Sequence, residues 1–238
     1  MNLAYGAIMT ASLATGLAAS RLFPSPLRLT ARQKWGLALG AFCGGMIAAK
    51  LPFVLYDWTG FLSGAAWLDN GKTIMAGLVG GYFGVELAKR PLGITQKTGD
   101  GFAVPVALAV AVGRLGCIAA GCCYGLPTDL PWGMDLGDGT RRHPTQLYET
   151  AFHLAMAGLL AGLHGAKLLR GQLIKLYLIS YFAYRFLTEY LRPEPVLALG
   201  LTAYQWAALA FIPLFAALWV HDAAQHSSPK RAGSPKLP

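Results

Sequence analysis

Three basic residues stand where the surrounding chain is apolar: Lys50, Arg114 and Arg185. A charge inside a hydrocarbon layer costs a few kcal/mol or more, so it pairs, lines a wet cavity or does chemistry. Arg114 and Arg185 each lie about 12 residues from one end of their stretches and Lys50 about 15; at a helical rise of about 1.5 Å per residue, all three sit roughly 18 to 22 Å from the same face. Acids nearby are few. Glu189 follows Arg185 by four positions, on one helical face, and Glu149 opens a later apolar stretch. Arg141, Arg142 and Arg192 add cations at the rim. A surplus of cation over carboxylate in a low dielectric calls for an outside anion, and a phosphate suits because Arg forks onto two of its oxygens.

The residues around these cations form three distinctive runs. Residues 113–125 read GRLGCIAAGCCYG, in which Gly113, Gly116, Gly121 and Gly125 permit close backbone approach and a change of direction. Residues 142–149 read RHPTQLYE, where Pro144 suits a helix start and His143 and Arg142 fall at a membrane–water boundary. Gln146, Tyr148 and Glu149 then occupy the first turn. Residues 181–193 read YFAYRFLTEYLRP, placing Tyr181, Arg185, Glu189 and Arg192 on one polar stripe of an otherwise apolar helix. The spacing of Cys117, Cys122 and Cys123, with no paired His, is not that of a zinc site. These cysteines read as small buried hydrophobes, with a disulfide to Cys117 or a covalent thiol role as alternatives.

What must position these runs is a set of membrane helices. The chain has 238 residues, 55% hydrophobic and only 13% charged, against about 25% charged in a soluble domain. That composition excludes disorder and collagen-like structure. Seven stretches reach or approach the roughly 20 apolar residues a span requires: 3–20, 35–56, 73–88, 102–120, 150–166, 173–191 and 200–220. The expected fold is all-α, a single transmembrane domain over 1–222 followed by a basic, disordered tail over 223–238. Residues 121–149 are too polar and too rich in Gly and Pro to span, and form a small cap or a re-entrant loop. The N-terminus lacks the basic n-region and cleavage site of a signal peptide, so the first stretch reads as a permanent helix. Thirteen of the twenty Lys and Arg fall in alternate loops and the tail, against four on the opposite side. The predicted N-terminus is therefore outside and the C-terminus cytoplasmic. The same rule accounts for the net charge of +9, and nucleic acid is not needed as a partner.

Taken together, in this order on seven helices, the three runs resemble the prolipoprotein diacylglyceryl transferase family. Its matching stretches are G-R-x-G-x-F-x-N-G, R-H-P-[ST]-Q-L-Y-E and R-F-x-x-E-x-x-R. The likeness extends to Tyr5-Gly6, to Ala49-Lys50-Leu51 and to the Gly-rich stretch from Met75, and covers roughly residues 3–220. It implies a multi-pass enzyme of the bacterial cytoplasmic (inner) membrane that needs no cofactor or metal. Its partners would be phosphatidylglycerol or a similar anionic phospholipid, the signal peptide of a prolipoprotein, and the bilayer. The diacylglyceryl unit would pass to the thiol of a lipobox cysteine, with glycerol 1-phosphate leaving.

The resemblance and the residue reading together nominate Arg114, Arg185, His143 and Glu189 for catalysis. Tyr5, Lys50, Arg142, Gln146, Tyr148, Tyr181, Arg192, Gly125 and Cys117 are nominated for binding the phospholipid headgroup. Three positions depart from the family. Met75 stands where it has a His often regarded as the base, Cys117 where it has Asn, and Cys122 where it often has an acid. His143 is then the nearest titratable candidate for a base. A related transferase with another acceptor, a non-catalytic lipid-binding homologue and an anion transporter remain alternatives.

Overall fold

The computed structural model describes residues 3–25, 27–68 and 71–227. Nine α-helices are described: α1 (Leu3–Leu22), α2 (Ala31–Tyr56), α3 (Trp58–Ser63), α4 (Ala65–Leu68), α5 (Ile74–Lys89), α6 (Asp100–Ala119), α7 (Thr145–Gly165), α8 (Leu173–Thr188) and α9 (Ala203–Ser227). Short 3₁₀ turns occupy Glu189–Leu191 and Ala198–Gly200. The seven long helices coincide with the seven apolar stretches, with shifted ends. α7 begins at Thr145, directly after Pro144 and earlier than the apolar run alone suggests, which brings Gln146 and Glu149 inside the helix. α9 continues to Ser227, so 223–227 are helical rather than tail, and 228–238 lie outside the described residues.

Residues 120–144 do not form a helix. They fold as a small cap around two strands, β1 (Met134–Asp135) and β2 (Arg141–Arg142), paired antiparallel with Met134 opposite Arg142. Further backbone bonds tie the cap to the start of α7: Gly125 N–H donates to the His143 carbonyl at 2.9 Å and His143 N–H to the Leu126 carbonyl at 3.0 Å.

Helix packing follows from small residues. α2 and α5 cross along Gly40, Gly44, Gly80 and Gly84, where an added Cβ on any one would strike the facing backbone. Such seams let backbones approach where lipid provides no hydrophobic drive for association. α1 lies on α6, with Ser12 donating to the Ala109 carbonyl at 2.6 Å. α6 meets α7 through Thr150, which donates to the Ala111 carbonyl at 3.3 Å. Met75, Ala103, Tyr177, Tyr181, Phe182 and Phe215 belong to one core from α5, α6, α8 and α9. Below it, buried Lys175 pairs with Asp222, which Lys97 also reaches at 2.8 Å. Asp100 accepts from the N–H groups of Gly171 (2.5 Å) and Leu173 (3.1 Å) at the start of α8.

Burial is inverted relative to a water-soluble protein. Trp35, Leu39, Phe42 and Leu17 are exposed, while Gln146, His153, Glu149 and Arg114 are buried. Four described helices are long and apolar enough to cross a bilayer: Leu3–Leu22, Ala31–Leu55, Asp100–Ala119 and Ala203–Gln225.

Candidate active site

α6, α7, α8 and the cap converge on a buried polar centre. Arg114 arrives from the last turns of α6, and Nη2 lies 2.9 Å from Oε2 of Glu149 on α7. Glu149 also accepts from the Tyr181 hydroxyl of α8 at 2.8 Å. One turn further along α7, His153 places Nε2 at 3.7 Å from Glu149 and Nδ1 at 3.0 Å from the Tyr177 hydroxyl. Arg114, Glu149, His153, Tyr177 and Tyr181 are all buried.

A second pair adjoins the first. Arg185 contacts Glu189 at 2.8 Å and lies over the Tyr204 ring at 4.6 Å. Glu189 accepts from Thr202 at 3.1 Å. Arg185 is within Coulombic range of Glu149 as well, so the two pairs share one field.

The cap closes one end. Its turn over residues 121–125 presents two carbonyls inward: Gln146 donates to that of Cys122 (2.5 Å), while Thr145 (2.6 Å) and Arg192 (3.4 Å) donate to that of Cys123. Gly125 is required here, since a Cβ would lie 2.5 Å from the Leu191 carbonyl and 2.7 Å from Cβ of His143. At the mouth, His143 Nδ1 is 3.3 Å from the Tyr148 hydroxyl, which accepts from the Trp132 indole at 2.7 Å. Arg142 bonds Asp138 and covers the Tyr124 ring, and that bond holds the Asp138 carboxyl below the usual carboxylate range.

The structure thus gathers Arg114, Tyr181, Arg185, Glu189, Arg192, Gln146, Gly125 and Cys117 around one centre, with His143 and Tyr148 at its mouth and Tyr5 beside Gly116. Two expectations need correction. The anticipated cation surplus is met inside the chain, because α7 starts early enough to bring Glu149 against Arg114 and Glu189 caps Arg185. Arg142 and Arg192 also reach acids, Asp138 and Glu194, the latter at 3.7 Å. What stays open is hydrogen-bonding capacity rather than charge. A guanidinium carries five donors, and Nε of both Arg114 and Arg192 is buried without a hydrogen-bond partner, as is Oε1 of Gln146. Lys50, moreover, extends to the Trp67 carbonyl of α4, whereas the polar centre is built from α6, α7, α8 and the cap.

The sequence reading missed His153. Its signal was legible, since it follows Glu149 by four positions and therefore shares its helix face. Met75 is buried in the aromatic core with Tyr177 and Tyr181, so no imidazole enters the centre from α5. An apolar cavity of about 180 Å³ opens between α2, α5, α6 and α8, lined by Gly77, Gly81, Phe102, Val106 and Leu178.

Membrane-length helices and a buried network of guanidinium, carboxylate and phenol define a helical membrane protein with a buried polar site. Residues 3–221 match the family described as prolipoprotein diacylglyceryl transferase, and the chain belongs to that family, whose members are transferases. Among its relatives is a protein named phosphatidylglycerol–prolipoprotein diacylglyceryl transferase from Clostridium tetani, 32% identical over 171 residues, covering 68% of this chain and 69% of the relative. Proteins of the same name from Bordetella bronchiseptica (30% over 210 residues, 82% and 80% covered) and Bordetella avium (32% over 202 residues, 79% and 75% covered) are similar as well.

Proposed function

We propose that this chain transfers the diacylglyceryl group of phosphatidylglycerol to the thiol of a lipobox cysteine in a prolipoprotein, at the outer face of a bacterial cytoplasmic membrane. In this reading all seven long helices cross the bilayer, with the N-terminus outside. The observation that carries it is the buried Arg114–Glu149–Tyr181 constellation beside Arg185–Glu189, with guanidinium donors left over for a phosphate. The acceptor sulfur attacks the glycerol carbon that bears the phosphate. A C–S bond forms, the C–O bond breaks, and glycerol 1-phosphate takes the electron pair. Charge grows on the leaving phosphate, and donors fixed beforehand in a dry site stabilise it without reorganising. The thiol proton passes to a base at the mouth. His143 suits this role because it is half-buried and accessible there, whereas His153 is fully enclosed behind Glu149.

The test is lipid transfer to a lipobox peptide in phosphatidylglycerol vesicles, read by mass spectrometry. Arg114→Lys and Arg185→Lys keep a cation against Glu149 and Glu189 but lose the guanidinium fork; each should lower turnover about 10²- to 10³-fold, as loss of one transition-state donor does, with helicity and detergent-extracted monomer retained. Wild-type turnover in both variants would overturn the assignment. A second reading, a lipid-binding homologue without catalysis, is favoured by Met75 in place of the family's His. The wild-type chain decides between them: a diacylglyceryl mass gain on the peptide supports transfer, and phosphatidylglycerol binding without any gain supports the homologue.

A further inference from the structure

We propose that Cys117, Cys122 and Cys123 form a three-thiolate site for a thiophilic d10 cation of the Cu(I) or Zn(II) class. Their sulfurs all lie within 4.8 Å of one another. A cation bonded to three sulfurs at about 2.3 Å sets them about 4 Å apart, so side-chain rotation closes the remaining difference. Spacing along the chain hides this grouping, and the backbone creates it. α6 ends at Ala119, and Gly121 (φ 62°) and Cys123 (φ 63°) both take the left-handed conformation. The Cys122 N–H then bonds back to the Cys117 carbonyl at 3.0 Å, folding the pair over the last helical turn. Left-handed backbone is uncommon for any residue but Gly, and at Cys123 it serves to turn a second sulfur inward. The three thiols are free, so the donors are available.

The electrostatics fit an anionic metal–thiolate group. Three thiolates leave a net charge of minus two with Cu(I), or minus one with Zn(II). Arg114 Nη1 lies 3.5 Å from the Cys117 sulfur, and Arg192 is anchored on the Cys123 carbonyl. Such outer donors orient and stabilise metal ligands. A cation that binds all three sulfurs displaces the thiol protons to water. The carbonyls of Cys122 and Cys123 are the acceptors for Gln146, Thr145 and Arg192. A bound cation would therefore clamp the turn that positions those side chains. The site stands on these geometries whether or not the chain transfers lipid.

The experiment uses the full chain in nanodiscs, anaerobic and reduced. Cu(I) and Zn(II) are titrated separately against chromophoric chelators, and metal content is measured after gel filtration. One equivalent of one of the two cations per chain is expected, with sulfur-only or sulfur-dominated coordination by X-ray absorption. Cys122→Ser and Cys117→Ser should each weaken binding at least 100-fold, while Cys43→Ser, on the exposed face of α2, leaves it unchanged. Thermal melts confirm that each variant is folded. Should one Ser variant unfold, the other carries the comparison. Fewer than 0.1 equivalents of either cation in the reduced wild type, or affinity unchanged in the Ser variants, overturns the site. So does a disulfide within the trio whose reduction restores no binding.

Discussion

At the scale of single residues, Arg114 and Glu149 depend on each other. Both are buried, and breaking a buried pair from one side leaves an uncompensated charge that costs about 3–5 kcal/mol. Glu149→Gln should therefore lower the melting temperature of the detergent-solubilised chain substantially, because it strands the Arg114 charge and leaves one amide oxygen for two donors, Arg114 and the Tyr181 hydroxyl. Tyr181→Phe removes one hydrogen bond and should cost about 1 kcal/mol. Similar melting shifts for the two variants would show that Arg114 finds another counter-charge. A hydrogen bond from Cys117, together with the Arg114 and Arg192 charges, holds the Cys123 thiol well below the ordinary thiol range. A thiol held below its ordinary range is a thiolate at neutral pH and loses that form only as pH falls through its lowered value. Alkylation of Cys123 by iodoacetamide should thus change little between pH 8 and pH 6, whereas a reference thiol near pKa 8.5 slows about 80-fold over that interval. Site-resolved mass spectrometry reads both rates, and a parallel decline would show that neither the Cys117 hydrogen bond nor the Arg114 and Arg192 charges stabilise the thiolate. Arg114 and Arg185 stood out in the sequence because an isolated charge in an apolar run is conspicuous. The partner of Arg114 did not, since Glu149 meets it only through space, across the α6–α7 packing.

At the scale of elements, apolar length made the seven long helices legible, and charge and turn residues marked the cap between α6 and α7. Pro144 marked the start of α7 ahead of the apolar run, and the helix extends through Gln146 and Glu149 because their side chains find partners. The end of α9 was less legible, since the helix runs on through 223–227. The short α3 and α4 were not anticipated, since six- and four-residue helices carry no period to read. The α2–α5 seam gives this scale its prediction. Gly44 faces the carbonyl of Gly80, and Gly84 faces that of Gly40. Gly44→Val forces two backbones apart, with no flexible side chain able to yield. The variant should lose most of its detergent-stable monomer, measured by fluorescence-detected gel filtration, whereas Gly158→Val on α7, where an added Cβ meets nothing, should behave as wild type. Equal recovery of the two would mean that α2 and α5 are not held by close backbone contact.

At the scale of the whole molecule, the arrangement has a direction. The cap, with His143 and Tyr148, closes one end of the polar centre, and Lys97, Lys175 and Asp222 form a charged cluster at the opposite end of α8. In the proposed orientation, which follows the Lys and Arg bias of the loops, the second end faces the cytoplasm. Under the proposed function, a precursor held in the membrane by its signal peptide and emerging outside would meet the cap first, and the acceptor thiol would reach the phosphate without crossing the bilayer. A protease site inserted at Gly137–Asp138, in the exposed turn between β1 and β2, should be cut in intact spheroplasts. One inserted between α7 and α8, at 166–170, should be cut only after lysis. The reverse pattern would place Arg114 and Arg185 in the cytoplasmic half. The charge bias would then owe nothing to topology, and a secreted acceptor could not meet the site, so the orientation and the proposed substrate stand or fall on one measurement.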